Sequence, residues 1–147
     1  MAQTGCYTGK VLRVDLSSGR ISTEPLNEAW ARDYLGGKGL VFRYLYEELL
    51  AGTDPLSPGN VVVLFPGALA GTIVATTART CVGARSPATG TILDSYVGGG
   101  FGAMLRYAGY DGVVLTGRAG QPVYLFIEDD RVELRDASAA WGKAIWD

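Results

Sequence analysis

Apolar and polar positions change period several times along the chain, and each change delimits an element. In Lys10 to Leu16 the apolar Val11, Val14 and Leu16 are mixed with polar neighbours. Ser17-Ser18-Gly19 follows, then Arg20 to Glu24, which predicts a hairpin of two short strands with a Ser-Gly turn. Asn27 before Glu28 is an N-cap signal, and Trp30, Tyr34 and Leu35 recur at helical spacing until Gly36-Gly37 ends the run. A second helix is predicted from Gly39 to Leu50, with Leu40, Tyr44, Leu45 and Leu49 on one face. The stretch from Asp54 to Asn60 holds two prolines and a glycine among polar residues, which is turn chemistry, and it feeds the apolar strand Val61 to Phe65. Val61 to Ala78 carries no charge over 18 residues, the length of a membrane span. Pro66, Gly67 and Gly71 interrupt it, and its Val/Thr richness predicts two buried strands around a turn instead.

Strands are predicted again at Thr80 to Ala84 and Thr91 to Leu93, separated by Ser86-Pro87. Gly98 to Gly102 then lead into a short helix, Ala103 to Ala108, closed by Gly109. Three further runs, Val113 to Thr116, Val123 to Glu128 and Val132 to Arg135, are joined by links too short for parallel crossovers and predict an antiparallel meander. A last helix is predicted from Ala139 to Trp146. The sum is a single α+β domain over residues 1–147, with mostly antiparallel strands and a few short helices.

Composition narrows the chemistry. The chain has 147 residues, 21 of them glycine, two cysteine and none histidine. Without an imidazole there is no Ser-His-Asp triad, no Cys-His dyad and no His-ligated zinc. Cys6 and Cys81 cannot supply the four thiolates of an iron–sulfur cluster. With 13 basic against 15 acidic side chains and no basic run, neither nucleic acid nor an anionic membrane is an expected partner. The first residues show no apolar leader segment, so a cytoplasmic location is expected.

The strongest local signal is Gly98-x-Gly100-x-x-Ala103 between a predicted strand and a helix. Three readings fit it: a dinucleotide fingerprint, a tight turn needed for packing alone, or an anion cradle of bare backbone N–H groups outside a Rossmann topology. The short helix and the meander after it argue against the first. Arg79, at the head of a strand, is either a bidentate clamp for a phosphate or a solvent-exposed strand-end side chain. Lys38 lies between Gly37 and Gly39, and Lys10 follows Gly9, but neither completes a phosphate-loop pattern. Asp94, Asp111, Asp129 and Asp130 form no carboxylate pair by spacing, and Tyr107 and Tyr110 read as packing residues. No catalytic side chain is assigned.

Taken in order, many segments match one family. They are Tyr7 to Lys10, Leu12 to Leu16, Tyr34 to Leu40, Asp54 to Ser57-Pro58, Pro66 to Thr72, Arg79, Arg85 to Gly90, Gly98 to Gly102, Leu105 to Asp111, Pro122 to Tyr124, Arg135 to Ser138 and Trp141 to Lys143. Together they resemble the N-terminal domain of the tungsten-containing aldehyde ferredoxin oxidoreductases. The resemblance implies a saddle-like pair of twisted sheets on which two pyranopterins sit. Their dithiolenes hold tungsten, or alternatively molybdenum, beside a [4Fe–4S] cluster that passes electrons to ferredoxin. By position, Arg79 corresponds to the family's arginine between pterin and cluster. Ser95, Gly98, Gly99 and Gly100 fall in the segment that contacts the pterin phosphates and their magnesium. Tyr96 stands where the family offers a backbone carbonyl to that magnesium. Because family members are about four times longer, the cluster and substrate pocket are expected in the remainder of the enzyme or a complementary subunit, and a homo-oligomer is compatible with this. The expected function is therefore a cofactor-binding part of an aldehyde:ferredoxin oxidoreductase-like enzyme, incomplete alone. The alternatives are a non-catalytic assembly domain that keeps the fold without metal, and a dinucleotide-binding domain.

Overall fold

A computed structural model describes residues 6–144 and 146. Among them the elements run β1 (Lys10–Asp15), β2 (Arg20–Pro25), α1 (Glu28–Tyr34), α2 (Lys38–Glu48), β3 (Val61–Pro66), β4 (Thr80–Arg85), β5 (Ile92–Val97), α3 (Phe101–Tyr107), β6 (Gly112–Thr116), β7 (Val123–Glu128) and β8 (Arg131–Asp136). One sheet has the order β2-β1-β6-β3-β4-β5, and β7-β8 form a second, two-stranded sheet. All pairings are antiparallel except β1 with β6. The α+β reading therefore holds, and a doubly wound dinucleotide sheet is ruled out: the glycine loop leads from an edge strand, through α3, to a strand three places away.

The large sheet is covered on both faces. On one, α1 and α2 bury Ala31, Leu40, Val41, Tyr44 and Leu45 against Val11, Val63, Phe65, Cys81 and Val114. Tyr44 anchors this face, with the Trp30 ring edge-on at 5.2 Å and the Phe65 ring at 5.1 Å. On the other, Leu12, Val14, Leu105, Tyr110 and Val113 pack beneath α3 and the β7-β8 hairpin, whose Leu125, Ile127, Val132 and Leu134 close the cluster. The first helix starts as the sequence predicts, since the Asn27 side chain accepts from Trp30 N.

Three expectations fail for identifiable reasons. The meander does not form, because β6 is already flanked by β1 and β3 and has no free edge for β7. Its chain leaves the sheet and pairs only as the β7-β8 hairpin. The uncharged stretch after β3 yields no second strand: residues 67–79 are turns, and Ile73 is fully exposed. The Thr72 and Thr77 hydroxyls both donate to the Leu69 carbonyl, at 2.7 and 3.0 Å, so side-chain bonds to backbone serve the loop where a ladder was expected. The helix expected from Ala139 to Trp146 stops at one turn, where Trp141 N donates to Ala137 O and Gly142 takes φ +78. Residue 145 of that span lies outside the described residues. Among the described residues, no helix is long and apolar enough to cross a membrane.

The start of β1 is held by one buried carboxylate. Asp111, fully buried, accepts from Thr8 N at 2.9 Å, Gly9 N at 2.6 Å and Lys10 N at 3.2 Å, and pairs with Arg106 Nη1 at 2.9 Å. Asp111→Ala strands both the guanidinium and three amides, so a stability loss of about 3–5 kcal/mol is expected in urea denaturation. Arg131→Ala, in the exposed ion network with Glu128 and Glu133, should leave the urea midpoint nearly unchanged.

Candidate cofactor-binding edge

β5 is the last strand of the large sheet, and its pairing with β4 decides what its edge offers. The register sets Thr80 against Val97, Cys81 against Tyr96 and Val82 against Ser95. Arg79 and Gly98 are the next residues outward from the Thr80–Val97 pair. Residues far apart in the chain thus meet at one end of two strands: Arg79 on one side, Ser95, Tyr96 and the glycine loop on the other.

Each contributes a different group. Cys81 belongs to the core facing α2, so its opposite number Tyr96 projects to the same side. Ser95, one residue earlier, projects to the opposite face and is exposed. Ser86 N donates to Thr91 O at 2.8 Å, which makes that a hydrogen-bonded pair. Alternation along the ladder then turns the N–H and C=O of Tyr96 away from β4, toward the open edge of the sheet. The bulk of the tyrosine ring is on the α2 side, clear of its own carbonyl.

The loop after β5 is built for close approach. Gly98, Gly99 and Gly100 are exposed, and a Cβ placed at Gly98 or Gly99 would meet nothing within 4 Å. Gly99 takes φ +87, a conformation that side chains strain. None of the three N–H groups donates to another described residue. Arg79 is exposed; its carbonyl accepts from Gly67 N at 3.0 Å, while its guanidinium has no partner among the described residues. Bare amides next to a free guanidinium can take up phosphate oxygens, and an outward carbonyl can ligate a hard cation. The α3 helix that follows has only seven residues, so the peptide N–H groups of the loop, and not a helix dipole, carry this capacity. Among the described residues no three His, Cys, Asp or Glu side chains gather as a metal site.

Lys38 is not part of a phosphate loop. It opens α2 and pairs with Asp94 at 3.1 Å, which joins α2 to β5. That pair holds the Asp94 carboxyl below the usual carboxylate range, and the Tyr96 hydroxyl donates to the same carboxylate. Cys81 is buried and Cys6 half-buried, both as free thiols; burial pushes the Cys81 thiol up. Tyr110 packs as expected, but Tyr107 is 65% exposed and spends its hydroxyl on Gly71 O at 3.1 Å. The buried Arg106–Asp111 pair escaped sequence reasoning, since nothing in the separation of the two residues distinguishes a buried pair from two solvated charges.

This geometry defines a class: an α+β domain whose sheet ends in an edge of free backbone groups with an exposed arginine beside it. The family profile described as aldehyde ferredoxin oxidoreductase, N-terminal domain, matches residues 11–147, and the chain belongs to that family. It is 44% identical over 139 residues to the tungsten-containing aldehyde ferredoxin oxidoreductase of Pyrococcus abyssi, covering 95% of this chain and 23% of that protein. It is 36% identical over 139 residues to the aliphatic sulfonate oxidoreductase, WOR-like subunit, of Pyrococcus furiosus, covering 92% of this chain and 22% of that protein. Among solved structures, the active site complex BamBC of benzoyl coenzyme A reductase, with 1,5-dienoyl-CoA, superposes with a TM-score of 0.89. The identity there is 37%, over 91% of this chain and 20% of that one. The chain thus spans less than a quarter of the length of these relatives.

The hydrogen bond to Asp94, with burial as the smaller cause, pushes the Tyr96 phenol up to about 12. Asp94→Asn removes the carboxylate that favours the protonated phenol, so the ionisation of Tyr96 should fall toward the ordinary tyrosine value near 10. Ultraviolet difference titration against Tyr96→Phe as the blank reads this directly. An unchanged Tyr96 transition would contradict the contact.

Proposed function

We propose that this chain is the pterin-binding portion of a tungsten–bis-pyranopterin oxidoreductase acting on aldehydes or related carbonyl compounds, with molybdenum as the alternative metal. The observation that carries the reading is the run of three consecutive glycine amides that, like the nearby guanidinium of Arg79, have no partner among the described residues. In this reading the N–H groups of Gly98, Gly99 and Gly100 hold phosphate oxygens, with the Ser95 hydroxyl as a neighbouring donor. Arg79 would add a charge-assisted bond, and the Tyr96 carbonyl would offer one oxygen ligand to a magnesium ion accompanying the phosphates. When bound, the metal–dithiolene group supplies the carbon–oxygen redox chemistry, and the protein supplies position and charge. The dithiolenes bring the sulfur ligands, so this chain needs to offer the metal none.

The rest of the enzyme belongs to the same proposal: a [4Fe–4S] cluster, ferredoxin as electron partner, and the substrate pocket lie in a further part of the polypeptide or in a complementary subunit. Exposed apolar side chains flank the glycine loop in sequence, Val97 before it and Phe101 and Met104 after it, and Ile73 and Val74 stand exposed on the loop that carries Arg79. A patch of that kind suits a surface covered by another part of the assembly.

Elemental analysis and pterin fluorescence after oxidation, applied to the enzyme isolated from its own host, test the proposal. Tungsten and pterin together are expected. Absence of both, in protein with no co-purifying subunit, favours the non-catalytic assembly domain. Within the holoenzyme, Arg79→Ala removes a charge-assisted hydrogen bond worth about 1.5–3 kcal/mol, so the affinity for the cofactor should fall about tenfold or more, read as a lower tungsten-to-protein ratio after extended dialysis. The melting temperature of the metal-free protein should stay where it was, because the exposed guanidinium makes no hydrogen bond or ion pair with the described residues.

A further inference from the structure

Arg79 and the glycine loop are contributed by different loops, and something must fix one against the other. The 67–79 loop has no regular structure, so its position depends on tethers. α3 supplies them. Its second residue, Gly102, lies flush on the end of the sheet, where a Cβ would come within 2.6 Å of Thr80 Oγ1 and 2.9 Å of Pro66 Cβ. Its last turn presents Arg106 and Tyr107 to the loop. Arg106 Nη2 donates to Gly67 O at 3.4 Å, and Gly67 N in turn donates to Arg79 O at 3.0 Å. The Tyr107 hydroxyl donates to Gly71 O at 3.1 Å.

The strut is anchored at its far side. Arg106 is 7% exposed, pairs with Asp111 at 2.9 Å, donates to Cys6 O, and lies over the Tyr7 ring at 5.3 Å. It cannot swing without breaking the start of β1. At its near side α3 begins directly after Gly100. The same seven-residue helix therefore ends one half of the candidate site and grips the other.

We propose that Arg106 and Tyr107 are positioning residues: through α3 they hold the Arg79 loop at a fixed place relative to Gly98–Gly100, so that both halves meet one polyanionic cofactor. The inference rests on the pterin-binding reading and adds to it the device that sets the geometry. Tyr107 is the cleaner probe. Most of its ring is exposed and adds little to the core, so the hydroxyl bond to Gly71 is its main contribution to the loop.

The test is a double-mutant cycle on the assembled, metal-loaded enzyme, with the rate of tungsten and pterin release on dilution as the readout. Tyr107→Phe should speed release about two- to tenfold, the worth of one hydrogen bond, without lowering the melting temperature of the metal-free protein. In the Arg79→Ala background the same change should have no further effect, because Tyr107 acts through Arg79. Equal effects in both backgrounds, or no effect in either, overturn the inference and leave the pterin-binding reading standing. A wild-type enzyme without tungsten or pterin overturns the reading itself, and the positioning role with it.

Discussion

The antiparallel register of β4 on β5, with Thr80 opposite Val97, is the constraint on which the candidate site depends. One step outward from that pair, Arg79 and Gly98 leave the two strands side by side. With β4 held by β3, a slip of β5 by one residue would move the Tyr96 ring to the other face and reverse the direction of its carbonyl. The register is fixed from below: Cys81 is buried among α2 residues, and Gly83 leaves room for Val41 and Leu45, which a Cβ there would meet at 2.3 and 3.1 Å. Packing of α2 thereby decides which backbone groups the far edge of the sheet presents.

Around that edge, interactions of quite different strength divide the work. The apolar faces hold the sheet, and the Tyr44 cluster alone buries two aromatic contacts. The Arg106–Asp111 pair is internal, and although Arg106 Nε has no hydrogen-bond partner among the described residues, removing either member leaves the other as an uncompensated buried charge, so its loss is costly while its net contribution against an apolar replacement is small. Arg13 bridges Glu24 and Glu48 at the opposite end of the sheet, tying the β1-β2 hairpin to α2. Lys38–Asp94 ties α2 to the edge strand in the same way. The helix α2, the β1-β2 hairpin and the edge strand are thus fastened by charge pairs, while the amides of the glycine loop have no acceptor among the described residues.

What could be read from the sequence was what is local. The Asn27 cap, the Ser-Gly hairpin turn and the apolar run of β3 each carry their signal within a few residues, and each stands close to where it was expected. The insertion of β6 between β1 and β3 was not legible, because it pairs segments from the two ends of the chain and closes the edge that β7 would have used. Thr72 and Thr77 looked like strand residues and serve a loop, since a threonine hydroxyl satisfies a carbonyl as readily as a ladder does. The site divides along the same line. Glycines 98 to 100 and Arg79 stood out by composition and by family resemblance, whereas the outward turn of the Tyr96 carbonyl follows only from the strand register, and the α3 tethers only from the packing of α3 on the 67–79 loop.

The proposed site stands or falls on a cofactor's phosphates meeting bare backbone at this edge. A crystal structure of the holoenzyme, with anomalous scattering recorded at the tungsten edge, tests it most directly. Phosphate oxygens are expected within about 2.7–3.2 Å of amide nitrogens in Gly98–Gly100, with a divalent cation on the Tyr96 carbonyl. A tungsten cofactor whose phosphates lie elsewhere, with those three amides facing only solvent or protein, would contradict it.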